Sequence, residues 1–148
     1  MRMEVVNAVW PDEAQATAMS DPGPDGPIVM VNLLKFRERA EYRDGRDTKL
    51  SGREAYQLYG DAVAKILSNY GGRVLFAGDV THLSLGHCEP LWDEVALVEY
   101  PSRGALRSMA ISPEWIEASV HREAGLEGQL NIETTWFPGL REALAAGG

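Results

Sequence analysis

The chain has 148 residues, 45% of them hydrophobic, and a formal net charge of −8. This length and composition favour a single globular domain. The negative charge leaves no basic surface for nucleic-acid phosphates or for an anionic membrane, so we expect neither as a partner.

Cysteine content and the N-terminal sequence predict where the protein works. Cys88 is the only cysteine, so no intrachain disulfide can form, which is typical of intracellular proteins. The first residues lack the apolar run of a signal peptide, and no stretch approaches the length of a membrane span. We therefore expect a cytoplasmic protein.

The first residues are predicted to form an arm, followed by the main domain and a tail. Residues 1–27 contain a predicted short helix over 11–19, with Pro11 at its first position, and then a turn-forming run rich in proline and glycine. We place the main domain at 28–137. The tail, 138–148, is predicted to hold a short helix.

The main domain opens with a continuous apolar run at 28–36, which predicts a strand covered on both faces. The polar residues 37–50 predict a solvated loop. Ser51 and Glu54 form a capping-box pattern at the start of an amphipathic helix, and Gly71-Gly72 ends that helix.

The second half of the chain alternates between strand and helix signals. A strand is predicted over 73–85, with a possible bulge at Gly78, and another over 92–100. The remaining elements are a helix over 102–109, a helix from the Ser112 cap to Gly125, and a last strand over 129–137.

The order β-α-β-β-α-β predicts an α+β ferredoxin-like fold, with an antiparallel sheet, both helices on one face, and the first and third strands in the centre. Helices cover one face only, yet the central strands are apolar on both faces. A second copy of the sheet would cover the other face, so we expect a homodimer.

Several short motifs carry a resemblance to a known family. They are Pro27–Phe36, Tyr56, Tyr59, Gly71-Gly72, Tyr100-Pro101-Ser102, Ser112-Pro113-Glu114-Trp115 and Arg122. In this combination, over about residues 27–137, the chain resembles the domain of unknown function 1330 family, within the dimeric α+β barrel superfamily. That family usually has a tyrosine where this chain has Trp115 and a shorter connection than the 37–50 loop.

The resemblance implies a pocket between sheet and helices and several functions. The superfamily includes cofactor-free monooxygenases, haem-degrading enzymes, isomerases and stress-responsive proteins, and Asn32 is similar in position to an Asn of its monooxygenases. We expect either a monooxygenase- or isomerase-like enzyme that needs no cofactor, or a non-catalytic small-molecule-binding or stress-responsive module. A purely structural interaction module is the third alternative.

Three polar residues in apolar elements are the catalytic candidates: Asn32, Glu99 and Arg122. Asn32, in a central strand, either satisfies neighbouring backbone groups or orients a ligand. Glu99 is either a general base whose pKa burial would raise, or the partner of an arginine. Arg122 falls on the inward face of its helix, so it either pairs with an acid such as Glu99 or anchors a carboxylate ligand.

Three aromatic residues are predicted to line the pocket: Tyr56, Tyr59 and Trp115. The alternative for the tyrosines is ordinary core packing. His121 is expected to point outward, away from Arg122. His82 and His87 would face opposite sides of a strand, so no metal site is predicted, and the absence of phosphate-loop and dinucleotide motifs disfavours those ligands.

Overall fold

The computed structural model describes residues 3–147. In chain order, its elements are α1 (Glu13–Ala18), β1 (Ile28–Phe36), α2 (Gly52–Ile66) with a 3₁₀ turn at Leu67–Tyr70, β2 (Arg73–Asp79), β3 (Glu94–Tyr100), α3 (Arg103–Ala110), α4 (Pro113–Gly125), β4 (Leu126–Thr135) and α5 (Leu140–Gly147).

The four strands form one antiparallel sheet in the order β2-β3-β1-β4. This is the ferredoxin-like topology, with β1 and β3 in the centre, and it confirms the predicted fold class. Of residues 3–147, no helix combines the length and the apolarity that a bilayer span requires.

Serine caps set the predicted helix starts. The Ser51 hydroxyl accepts a hydrogen bond from the Glu54 amide at 3.0 Å, and the Glu54 carboxylate accepts one from the Ser51 amide at 2.9 Å. Ser102 and Ser112 accept equivalent bonds at the starts of α3 and α4. Each cap satisfies an amide that the helix itself cannot, so the sequence signal and the helix start coincide.

The helix-covered face of the sheet holds the main core. Its buried side chains come from β1, β3, α3 and the 3₁₀ turn, namely Ile28, Met30, Leu67, Tyr100 and Met109. Side chains alternate along each strand, so the residues between these point to the opposite face. There one apolar row crosses all four strands: Phe76, Leu97, Val31 and Ile132.

The second strand and the last strand differ from their predicted bounds. β2 ends at Asp79 rather than Leu85, and its register shift lies between Val74 and Phe76 rather than at Gly78. β4 begins at Leu126, directly after the last residue of α4. Helix α1 is capped by Asp12, so Pro11 lies before the helix.

The 37–50 loop is mostly exposed, as its composition predicts, but two of its residues are buried. Ala40 and Tyr42 are buried against Ala55 of α2 and Ala124 of α4. The Tyr42 hydroxyl also lies 2.7 Å from Nδ1 of His121. His121 is therefore half-buried beneath this loop, on the side of α4 away from Arg122, instead of facing open solvent.

Candidate functional site

A cavity of about 430 Å³ lies between the N-terminal arm, α3, α4 and β4. Much of its wall is apolar, and the polar groups are few and convergent, a combination typical of small-molecule sites. The side chains that matter below are Val6, Val9, Trp10 and Met19 from the arm, and Met30, Arg103, Leu106, Arg122, Gln129 and Glu133 from the domain.

The arm closes the cavity by pairing with the edge strand of the sheet. The Ala8 amide donates to the Gln129 carbonyl at 3.2 Å, and the Gln129 amide donates to the Ala8 carbonyl at 2.9 Å. Nearby, the Trp92 indole donates to the Asn7 side chain at 3.0 Å. These bonds place Trp10, two residues further on, over the cavity.

Arg122 is the central polar group of the site. It extends from the last turn of α4, and its guanidinium carbon lies 5.1 Å from the centre of the Trp10 ring. Its Nη2 donates to Oε1 of Gln129 at 2.8 Å. Its Nη1 is buried and has no hydrogen-bond partner among residues 3–147. An unpaired charged donor is costly, so this atom indicates where an acceptor would bind.

A chain of side-chain amides connects Arg122 to the centre of the sheet. Gln129 Nε2 donates to Asn32 Oδ1 at 2.8 Å. Asn32 Nδ2 in turn donates to the carbonyls of Ala96 and Met30, at 3.2 and 3.3 Å. Asn32 is thus satisfied by its neighbours and reaches the cavity only through Gln129.

A row of aromatic rings runs from α2 to the arm. Consecutive ring centres are 5.2–6.4 Å apart in the order Phe36, Tyr56, Tyr59, Trp115, Trp10. The Trp115 indole donates to the Tyr59 hydroxyl at 3.2 Å. Burial raises the pKa of both Tyr56 and Tyr59, so their phenols stay neutral.

The other charged groups of the cavity neutralise each other. Arg103 binds Glu133 through two bonds, Nε to Oε1 at 2.7 Å and the second nitrogen to Oε2 at 2.8 Å. These bonds lower the pKa of Glu133. Arg122 therefore carries the one uncompensated charge among the described residues that line the cavity.

Glu99 lies outside this site, on the opposite face of the sheet. It accepts hydrogen bonds from Arg73, Arg141 and the Trp136 indole at 2.7–3.2 Å. Arg141 is the largest cause of a lowered Glu99 pKa, about 2. Burial acts in the opposite direction but is outweighed, so the net rise expected for a general base does not occur. The Arg122–Glu99 pair, one of the two alternatives for Arg122, does not form, because the two residues lie on opposite sides of the sheet.

Of the six residues predicted from the sequence, Arg122 lines the cavity itself. Asn32 is connected to it through Gln129, and Trp115 through Trp10, while Tyr56 and Tyr59 continue the aromatic row. Sequence reasoning missed Gln129, Trp10 and the Arg103–Glu133 pair. The apolar residues Val5, Val6, Val9 and Trp10 were the available signal that the arm packs onto something.

A metal site would need several His, Cys, Asp or Glu side chains close together. Within residues 3–147, no three His, Cys, Asp or Glu side chains come close enough together to bind a metal ion. Cys88 and His87 lie in the connection between β2 and β3, away from the cavity-lining residues. The expectation that the protein uses no cofactor stays a prediction.

Comparison with known proteins places the site within a family. Residues 46–134 match the domain of unknown function (DUF1330). This range includes α2, α4 and most of β4, and therefore Arg122, Gln129 and Glu133. It does not include the arm. No curated protein matches the chain.

Solved structures with the same fold include one at substantial identity. RPA0582, a protein of unknown function from Rhodopseudomonas palustris, is 30% identical, with a TM-score of 0.80 over 89% of this chain and 98% of that one. A proposed antibiotic biosynthesis monooxygenase from Caulobacter crescentus CB15 is 16% identical, with a TM-score of 0.51 over 76% and 92% of the two chains. A dimeric ferredoxin-like protein from Jannaschia sp. CCS1 is 10% identical, with a TM-score of 0.50 over 75% and 100%. The last two share the fold alone.

Proposed function

The chain belongs to the DUF1330 family, and because that family's description specifies no activity, we propose a function from the site itself: the protein binds a small organic carboxylate beneath its N-terminal arm. The observation that carries this proposal is Arg122 Nη1, a buried cationic donor without a partner among the described residues. A carboxylate is the acceptor that best matches a guanidinium, because both are planar and can form paired hydrogen bonds.

The charge and the walls of the cavity narrow the ligand class. Arg122 supplies one uncompensated positive charge, which favours a monoanion. The surrounding Val6, Val9, Met30 and Leu106 favour an apolar body attached to that anion. A phosphate ester with two charges would meet, in a protein of net charge −8, one uncompensated cation among the described residues that line the cavity.

Part of the arm must move before such a ligand can reach Arg122. Nη1 is shielded from solvent, and the Trp10 ring lies against the same guanidinium. Trp10 is itself 42% exposed and belongs to an arm held by the Ala8–Gln129 bridge. We therefore expect the ring to move aside when a carboxylate binds, and the apolar body to lie against the cavity walls.

The geometry supports binding better than catalysis. In the described part of the chain, the titratable side chains that line the cavity are Arg103, Arg122 and Glu133. Glu133 is occupied by Arg103, and the phenols of Tyr56 and Tyr59 are held neutral by burial. None of these groups is prepared to take a proton near neutral pH, which an isomerase would need.

A binding experiment tests this proposal with two matched probes. 3-Phenylpropionate carries the carboxylate, and 3-phenylpropionamide is its neutral counterpart. Titration calorimetry should show the carboxylate binding, and Arg122→Gln should weaken it about tenfold or more, because a charged hydrogen bond is lost. Arg107→Gln removes an exposed arginine of α3 and serves as the control.

Two results would contradict the binding proposal. Equal affinity for the acid and the amide would show that Arg122 is not a carboxylate anchor. Consumption of the probe under air, followed by mass spectrometry, would instead favour the monooxygenase- or isomerase-like enzyme.

We further propose that the protein acts as a homodimer whose sheets face each other. The apolar row Phe76, Leu97, Val31 and Ile132 crosses the face opposite α2, α3 and α4, and Phe76 and Ile132 are 55% and 46% exposed. A continuous apolar stripe of this kind marks an association surface, and a second copy of the sheet has a matching shape.

A further inference from the structure

We propose that Gln129 makes the cavity selective for an anion, because it holds Arg122 in place without neutralising it. This inference rests on the proposed carboxylate binding and assigns its selectivity to one side chain. Gln129 is 7% exposed and lies on β4, with its amide directed at the Arg122 guanidinium.

The direction of every hydrogen bond around Gln129 is determined by its neighbours. A guanidinium can only donate, so Gln129 must present Oε1 to Arg122. Its Nε2 then needs an acceptor, which Asn32 Oδ1 provides. Asn32 Nδ2 consequently faces acceptors, the carbonyls of Ala96 and Met30. The chain of amides is thus fixed at both ends and cannot reverse.

The backbone of Gln129 is fixed as well. Its amide and carbonyl both bond to Ala8 of the arm, and its neighbour Gly128 packs against Asn7. The side chain therefore starts from a fixed backbone position, and its bonds to Arg122 and Asn32 orient its amide. These contacts orient the guanidinium while leaving its Nη1 without a partner in the described part of the chain.

The Arg103–Glu133 pair in the same cavity shows what a carboxylate would do if it replaced the Gln129 amide. Glu133 lies four residues along β4 from Gln129 and so faces the same side of the sheet. It binds Arg103 through both oxygens, and the two charges cancel. One strand thus presents an amide to Arg122 and a carboxylate to Arg103, and only the arginine that faces the amide keeps its charge available.

The substitution Gln129→Glu tests this inference because it recreates the Arg103–Glu133 arrangement at Arg122. Calorimetry with 3-phenylpropionate and 3-phenylpropionamide measures the ratio of their affinities in the wild-type and variant chains. We expect that ratio to fall at least about tenfold in Gln129→Glu, since the ligand carboxylate then competes with an internal one. A ratio that stays at the wild-type value overturns the inference.

The reciprocal substitution Glu133→Gln gives an independent measurement that does not depend on the stability of Gln129→Glu. It leaves Arg103 facing an amide, so the cavity should gain a second anion site. We expect the affinity for adipate, a dicarboxylate, to rise about tenfold over wild type. If the affinity for adipate does not rise, the inference is overturned that the facing β4 side chain determines whether an arginine's charge is available to a ligand.

The controls separate this inference from the proposed function. If Arg122→Gln abolishes carboxylate binding and Gln129→Glu does not reduce it, the carboxylate site stands and the role of Gln129 is refuted. If Arg122→Gln has no effect on a chain that binds the acid, the carboxylate anchor itself is refuted. If the wild-type chain binds neither probe, both fail, since Gln129 then has no anion to select.

Discussion

Gly52 and Gly125 bring the start of α2 and the end of α4 into direct backbone contact. A Cβ atom built on Gly125 would lie 2.8 Å from the Tyr56 amide nitrogen and would also collide with the Gly52 carbonyl. The Arg37 amide donates to the Gly125 carbonyl at 2.8 Å, which ties β1 to the same point. This crossing fixes the relative positions of α2, which carries Tyr56, and α4, which carries the cavity-lining Arg122.

Gly125→Ala should destabilise the fold because the crossing has no room for a methyl group. We expect a loss of about 2 kcal/mol or more in the free energy of unfolding, measured by urea denaturation. Gly60→Ala is the matched control. A Cβ at Gly60, in the interior of α2, meets nothing within 4 Å, so alanine there should stabilise the protein by about 0.5–1 kcal/mol. Equal effects of the two substitutions would show that the helices do not meet as described.

Glu99→Gln should remove a pH-dependent part of the stability. The folded-state pKa of Glu99 is lowered from 4.5 to about 2, so its contribution is complete above pH 4.5 and is lost as the pH falls toward 2. That difference corresponds to about 3 kcal/mol at neutral pH. Urea unfolding at several pH values should therefore show a large difference in the free energy of unfolding between wild type and variant at pH 7. This difference should disappear toward pH 2.

Asp44→Asn provides the control for this pH experiment. The pKa of Asp44 is also lowered, to about 2, by its hydrogen bonds to Arg46, but both side chains are on the surface. Solvent screens such a pair, so we expect little change in stability at any pH. If Asp44→Asn lowers the free energy of unfolding as much as Glu99→Gln does, the burial of Glu99 is not the reason for its larger expected effect.

Phe76→Lys should convert the proposed dimer into monomers. The lysine would place a charge in the apolar row of the sheet face, where a second copy would have to bury it. Sedimentation velocity should show the wild-type chain at twice the monomer mass and the variant at the monomer mass. Leu58→Lys changes an exposed apolar residue on α2, on the helix side, and should leave the mass unchanged. A monomeric wild-type chain would refute the dimer.

Ala8→Pro should detach the arm from the edge strand. Proline has no amide hydrogen, so the bond from Ala8 to the Gln129 carbonyl is lost. Hydrogen exchange of the peptide that covers residues 3–12 should become faster, while Ala8→Gly, which keeps the amide, should exchange more nearly as wild type. Unchanged exchange in Ala8→Pro would mean that the bridge does not hold the arm.

Local sequence signals were sufficient for the central elements of the fold. Ser51, Ser102 and Ser112 each cap a helix, because the hydroxyl meets amides whose position follows from chain order alone. The central positions of β1 and β3 follow from the β-α-β-β-α-β order of the predicted elements. By contrast, Ala40 and Tyr42 lie in a polar segment, and their burial depends on small residues of two distant helices.

The candidate site was less accessible to sequence reasoning for a similar reason. Alternation along β4 separates Leu130 and Ile132 from Gln129 and Glu133, and a polar face of an edge strand is normally solvent-exposed. Here the arm covers part of that face, so Gln129 is buried. Arg122 could be predicted because helical periodicity alone places it inward. Its partner Gln129, seven residues further on, meets it because β4 follows α4 without a loop.

Two parts of the chain line the cavity, and they have different roles. Arg122, Gln129 and Glu133 belong to the region shared with the family, while Trp10 and the rest of the outer wall come from an arm that lies before it. The arm contributes little to the core, since α1 has no buried residue. Changes in the arm can therefore reshape the space offered to the proposed ligand at small cost to folding, while Arg122, which supplies the charge, stays in place in the domain.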